Sequence, residues 1–124
     1  MDEQQFQQRT KALALRVIRM ADALPPRLAA RVIGRQIVRS ATSVAANYRA
    51  ACRARARPRA MAHKLDIVLE EADETLFWLD MIIDADLLPK ERLTDLRREA
   101  NEIVAMTVSS LHTLRTRLKS REIT

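Results

Sequence analysis

The sequence predicts an all-α protein: an up-down-up-down antiparallel four-helix bundle forming one domain over residues 1–124. Four prolines divide the chain into stretches long enough for helices, apolar residues recur every three or four positions, and there is one glycine. Such spacings place side chains on one helical face, and strands do not produce them. A chain so poor in glycine is unsuited to hairpin turns and glycine-rich phosphate loops. Short connections make successive helices antiparallel neighbours.

The first predicted helix covers residues 5–23 and the second covers residues 26–56. Pro26 is predicted in the first turn of the second helix, where a missing N–H is tolerated. A tight turn is predicted at Pro58, with a kink in a longer helix as the alternative. We call the residues that recur at this spacing on one face of a helix its stripe. The stripe of the first helix consists of Phe6, Thr10, Leu13, Val17, Met20 and Leu24. The stripe of the second consists of Ala30, Ile33, Ile37, Ala41, Val44 and Tyr48.

The third predicted helix covers residues 60–85 and the fourth covers residues 89–120. Pro89, like Pro26, is expected in a first helical turn. The third stripe consists of Met61, Leu65, Val68, Ala72, Thr75, Leu79 and Ile82. The fourth consists of Leu93, Leu96, Ala100, Ile103, Thr107, Leu111, Leu114 and Leu118.

Helices 1 and 3 carry more apolar residues than one core stripe needs. The additional residues are Leu15, Ile18, Leu69, Leu76, Phe77, Trp78 and Ile83. Phe77 and Trp78 point roughly 100° apart on a helix, so both cannot lie at the centre of one core. Two interpretations remain: a bundle with broad apolar faces, or a second apolar face that packs on another subunit.

Charge is distributed in blocks along the chain, whose net charge is +6. Residues 27–64 hold ten basic and no acidic side chains, and residues 65–86 hold eight acidic and no basic ones. Most arginines of the second helix fall within an arc of roughly 120°, outside its apolar stripe. That arc contains Arg27, Arg31, Arg35, Arg39, Arg49, Arg53 and Arg57.

The block pattern allows two interpretations. Helix 3 could neutralise helix 2, either within a hairpin or between subunits. A hairpin turning at Pro58 would bring Arg35 and Arg39 level with Asp80 and Asp84. However, the acids begin only at Asp66, so the tip of the hairpin is expected to stay positive and to serve as a basic surface. Arginine forks suit phosphate groups, although no interleaved aromatics support base stacking. The predicted nucleic-acid-binding residues are Arg49, Arg53, Arg55, Arg57, Arg59 and Lys64.

Nothing in the sequence indicates an enzyme, a metal site or a cofactor. A di-iron bundle needs Glu-x-x-His motifs on facing helices, and none is present. His63, His112 and Cys52 are each interpreted as isolated residues. The acidic, polar start is unlike a signal peptide, and no apolar run reaches the roughly 18 residues that span a membrane. With one cysteine, the chain is expected in the cytoplasm, without membrane contact.

Two segments resemble a known family. Arg-Ser-Ala-x-Ser-x-x-x-Asn and Glu-x-x-Glu-x-x-x-Trp-Leu are similar to segments of the four-helix-bundle proteins encoded in intervening sequences of bacterial 23S ribosomal RNA genes. The residues that carry the resemblance are Arg39, Ser40, Ser43, Asn47, Glu71, Glu74 and Trp78. One departure is that Tyr48-Arg49 follows Asn47, where the family usually has an acidic residue and a glycine.

The resemblance implies a four-helix bundle with no known enzymatic activity. The accessory variability determinant proteins of diversity-generating retroelements are similar, which implies a homopentamer that binds nucleic acid and a reverse transcriptase through basic surfaces. The expected function is therefore non-enzymatic binding of RNA or DNA, structured RNA first, by an oligomer. The alternative is a protein-interaction scaffold whose arginines contact other subunits or an acidic partner such as a reverse transcriptase.

Overall fold

The computed structural model describes residues 2–123, with side chains to residue 122, and these residues form four α-helices. The helices are α1 (Glu3–Asp22), α2 (Leu28–Arg53), α3 (Pro58–Asp84) and α4 (Thr94–Ile123), with a short 3-10 helix at Lys90–Arg92. Successive helices pack against each other in antiparallel order. The predicted all-α four-helix bundle is confirmed, and the described residues contain no strand. Within the same residues, no helix is long and apolar enough to cross a membrane.

The predicted stripes form the core. Every stripe residue of the second helix is buried, as is every stripe residue of the third except the partly buried Met61. Met20 and Leu24, near the end of α1, and Leu114 and Leu118, near the end of α4, are also only partly buried. The helical phase read from the sequence is therefore correct in all four helices.

The helix ends differ from the prediction. Pro26 precedes α2, because the Arg27 N–H bonds the Pro25 carbonyl at 2.8 Å and the helix begins only at Leu28. Pro89 precedes the 3-10 helix. The tight turn at Pro58 is confirmed, with Pro58 as the first residue of α3. However, α2 ends at Arg53 and not at residue 56, since residues 54–57 form the turn.

The shorter α2 changes the register of α2 against α3. Arg39 binds Glu71 at 2.7 Å and also Glu74, so the prediction that Arg39 lies level with Asp80 and Asp84 is wrong. The turn consists of residues 54–57 and is complete before Pro58, and this shifts every pairing along α3 toward its start. Asp80 binds Arg97 of α4.

Arg9 joins α1 to α4, which contact each other least among the neighbouring helices. Its guanidinium donates two hydrogen bonds to the Glu99 carboxylate, at 2.9 and 2.5 Å, and one to Glu102 at 2.5 Å. Hydrogen bonding from Arg9 holds the pKa of the Glu99 carboxyl below its ordinary value. The ion pair is partly buried, so this cluster fixes where α4 crosses α1.

Most of the additional apolar residues complete the core. Leu69, Leu76 and Ile83 are partly buried and pack against it, as the broad-face interpretation predicts. Phe77 and Leu15 remain exposed. The Phe77 ring packs edge-on against the ring of the partly buried Trp78, with centroids 4.8 Å apart. Phe77 is thus the aromatic residue that the core of a single chain leaves uncovered.

Candidate nucleic-acid interface

The outer face of α2 is lined with arginines, as the helical phase predicts. All seven residues of the arc are exposed, while the apolar stripe faces the core. Of the seven, only Arg39 forms an ion pair within the described residues. Charge pairing between α2 and α3 therefore leaves most of the arginine face uncompensated.

Arg55 in the α2–α3 turn and Arg59 in the first turn of α3 are compensated, contrary to the sequence prediction. Arg55 binds the carboxylate of Glu3, the first residue of α1, with its Nε 3.1 Å away. Arg59 binds Glu122 in the last turn of α4 at 2.6 Å. Both carboxylates reach the turn because α1 begins and α4 ends at this end of the bundle. Hydrogen bonding by Arg55 correspondingly lowers the pKa of the Glu3 carboxyl.

The other predicted binding residues lie free of carboxylates. Arg49, Arg53 and Arg57 are exposed, Lys64 is partly buried, and none forms an ion pair within the part of the chain that the structure describes. Arg53 and Arg57 lie at the end of α2 and the start of α3, while Arg49 lies one turn further back along α2.

The end of α4 adds basic residues that the sequence reasoning missed. Arg57 and Arg59 line a groove of about 590 Å³ together with Leu118 and Arg121 of α4. A neighbouring groove of about 480 Å³ is lined by Arg55 and Arg117. The bundle topology could have predicted these residues, because in an up-down-up-down bundle the end of α4 lies beside the α2–α3 turn.

We call this end of the molecule the basic pole. It consists of Arg53, Arg55, Arg57, Arg59, Arg115, Arg117, Lys119 and Arg121. Glu3, Asp66 and Glu122 each bind one of these arginines. Arg53, Arg57, Arg117 and Lys119 form no ion pair within the described residues, and all four are exposed. Three planar guanidinium forks and one ammonium are therefore available to phosphate oxygens.

The residues that carry the family resemblance lie elsewhere, at the seam between α2 and α3. Arg39 binds Glu71 and Glu74, and the Trp78 indole N–H donates to Glu74 at 3.2 Å. Ser40, also in the motif, shares a buried hydrogen bond of 2.9 Å with the Thr75 hydroxyl. These contacts fix the register of the two helices.

The remaining motif residues act within α2. The Asn47 amide donates to the Ser43 carbonyl at 3.0 Å and to its hydroxyl at 2.9 Å, both partly buried. These contacts connect successive turns of one helix. The motif residues thus stabilise the α2–α3 seam and α2 itself, and they contribute no side chain to the basic pole.

The described residues include two histidines and one cysteine. His63 and His112 line one groove with Asp66, but Asp66 binds Arg115. No group of three His, Cys, Asp or Glu side chains in the described residues could hold a metal ion. Burial raises the pKa of the Cys52 thiol, which disfavours the nucleophilic thiolate. The basic pole, in contrast, presents exposed guanidinium and ammonium groups that can bind phosphate.

The chain is similar to known proteins over most of its length. A family model described as 23S rRNA-intervening sequence protein matches residues 2–109. A crystal structure of a protein with unknown function from the S23 ribosomal protein family of Bacteroides thetaiotaomicron is 28% identical to this chain. That similarity covers 90% of this chain and 99% of the other, with a TM-score of 0.82. No curated protein matches the chain.

Proposed function

The chain belongs to the 23S rRNA-intervening sequence protein family, and we propose that it is a non-enzymatic, oligomeric bundle of the cytoplasm that binds nucleic acid at its basic pole. One observation carries the proposal: four exposed cations, Arg53, Arg57, Arg117 and Lys119, lie at one end of the bundle without ion pairs in the described residues. The field from such a cluster attracts polyanions and steers their association. Arg49 extends the cluster along α2.

The composition of the pole favours structured RNA over unstructured strands. Proteins that bind single strands stack bases on aromatic side chains, and among the described residues no Phe, Tyr or Trp lines the three grooves beside the basic pole. Duplex RNA is recognised largely through its shape and its phosphates. A pole that offers guanidinium groups without aromatic platforms suits that form of recognition.

Salt dependence of binding tests the proposal. If four cations neutralise phosphates, the plot of log K against log salt has a slope of about −3 to −4 for a structured RNA. Fluorescence anisotropy with a labelled RNA hairpin at several salt concentrations measures this slope. Binding that is absent, or that does not change with salt, would contradict the proposal.

The second candidate is a scaffold whose arginines bind an acidic protein, such as a reverse transcriptase. It is supported by the long arginine face of α2, which extends far from the pole, and by the resemblance to accessory variability determinants. An acidic partner that binds while RNA does not, under the same low-salt conditions, would favour the scaffold.

We also propose that the protein assembles into a homopentamer. The number of subunits comes from the resemblance to accessory variability determinants. Support from the chain itself is the set of large apolar side chains that one copy leaves exposed, Phe77 among them. Multi-angle light scattering at micromolar concentration is expected to give about five times the 14.2 kDa of one chain. A single-chain mass would overturn the assembly.

A further inference from the structure

The outer face of α2 carries two pairs of arginines that repeat each other. Arg31 and Arg35 form the upper pair, near the start of α2, and Arg49 and Arg53 form the lower pair, where α2 reaches the basic pole. Each arginine of the lower pair stands 18 positions after its counterpart in the upper pair. Since that separation is about five full turns of an α-helix, the two pairs lie on the same side of α2, about 27 Å apart along its axis.

The charges of both pairs are available to an external anion. All four arginines are exposed, and none forms an ion pair within the described residues. Arg27, one turn before Arg31, is exposed and unpaired in the same part of the chain. The groove of about 640 Å³ beside the upper pair and the groove of about 550 Å³ beside Arg49 are lined by no carboxylate of the described residues.

The stretch of α2 between the two pairs does not share this positive charge. Arg39 is the single charged residue between Arg35 and Arg49, and it binds both Glu71 and Glu74. Because two carboxylates face one guanidinium, this level of the surface is negative on balance. The cations of α2 are therefore concentrated at two places with an interval between them.

This arrangement corresponds to the way a straight duplex meets a surface. The same groove of a duplex faces the surface once in each turn, and the phosphates turn away in between. One turn of a B-form duplex is about 34–36 Å long, and the more compressed A-form turn of RNA is shorter, nearer to the spacing of the two pairs. An acidic protein surface would require no such interval between cations.

We infer that a double-stranded RNA stem of at least one turn lies along α2, with the upper and lower pairs on phosphates of two successive grooves. This inference rests on the proposed function and extends its site from the basic pole to the start of α2. Each guanidinium can donate two parallel hydrogen bonds to a phosphate. Contacts to successive grooves suit double-stranded RNA, because side chains cannot read its deep, narrow major groove.

Contact at two places makes the affinity depend on the length of the stem. A stem shorter than one turn can bind the basic pole, but it cannot reach the upper pair at the same time. A longer stem reaches both, and its second contact forms within the complex already made, which increases the overall affinity. The protein is therefore expected to select stems by length and not by sequence, since phosphate contacts contain no base information.

Two RNA hairpins with the same loop test the inference, one with a stem of about 6 bp and one of about 20 bp, because one duplex turn holds roughly 10 bp. Replacing Arg31 and Arg35 with Gln is expected to weaken binding of the long stem by about 10–100-fold at 0.1 M salt. The log–log salt slope for that stem is expected to flatten by about 1.4–1.8 units, which corresponds to two lost phosphate contacts. The short stem is expected to bind this variant as it binds the parent.

Lys90→Gln/Arg92→Gln is the matched control. These two cations lie at the same end of the bundle as the upper pair, in the connection between α3 and α4. Both are exposed and form no ion pair within the described residues, so the control removes the same unpaired charge. It is expected to bind the long stem as the parent does. A loss equal to that of the Arg31→Gln/Arg35→Gln variant would overturn the inference, because net charge would then explain both.

The possible failures are distinguishable. If the parent binds neither hairpin, the proposed function fails and the inference fails with it. If the parent binds both hairpins in a salt-dependent way and the Arg31→Gln/Arg35→Gln variant binds the long stem equally well, the inference is wrong while the basic pole stands. A fall of this variant to the mass of one chain in light scattering would assign the upper pair to a subunit contact. Binding of poly-L-glutamate that requires the upper pair, while binding of the long stem does not, would assign it to an acidic protein. Either result overturns the inference.

Discussion

Replacing Leu79 with Ala lowers the free energy of unfolding by about 2–5 kcal/mol. The Leu79 side chain has no exposed surface and lies in the core stripe of α3. The truncation removes buried methyl groups and leaves a cavity that the surrounding helices fill only in part. Leu65, Ile103 and Leu111, which are nearly or fully buried in their own stripes, are expected to respond in the same way.

Leu15→Ala is the matched control, because it makes the same chemical change at a side chain that is 42% exposed. Its expected cost is less than about 1 kcal/mol. Urea unfolding followed by circular dichroism measures both variants, at one protomer concentration because assembly contributes to stability. Equal losses at Leu79 and Leu15 would show that the assigned helical phase is wrong.

The core could be predicted because burial in a helix follows a local rule. A spacing of three and four residues identifies the buried face without knowledge of its partner. The stripe residues from Phe6 to Leu111 are buried, except that Met20, Leu24 and Met61 are partly buried. The helix ends are less regular, since they depend on turn geometry. The turn at residues 54–57 ends α2 before Pro58. Because the prediction placed the turn at Pro58, it assigned the wrong partners to Arg39.

The candidate site was predictable only in part, for a related reason. The arginine face of α2 follows from helical phase alone, and it is found where predicted. The partners of Arg55 and Arg59 are 52 and 63 residues away in the sequence, so periodicity contains no information about them. The contribution of Arg117 likewise depends on topology, which brings α4 beside the turn.

Replacing Arg53, Arg57 and Arg117 together with Gln is expected to weaken RNA binding by about 10²–10³-fold at 0.1 M salt. Each lost phosphate contact removes about 0.7–0.9 from the magnitude of the log–log salt slope, so the slope flattens by about two to three units. Arg55 is left unchanged because Glu3 already binds it. The loss is expected to be equal for all RNA sequences, since phosphate contacts contain no base information.

A second triple variant controls for overall charge. Changing Arg92, Arg97 and Arg98 to Gln removes the same three charges at the opposite end of the bundle, where two of them already bind carboxylates. Anisotropy titrations at matched salt are expected to show a small loss for this variant and a large one for the variant of the basic pole. Equal losses would mean that RNA responds to net charge and not to the pole. If the variant of the basic pole instead falls to the mass of a single chain, Arg53, Arg57 and Arg117 belong to a subunit contact. Assembly then depends on these arginines, and the scaffold function is favoured over phosphate binding.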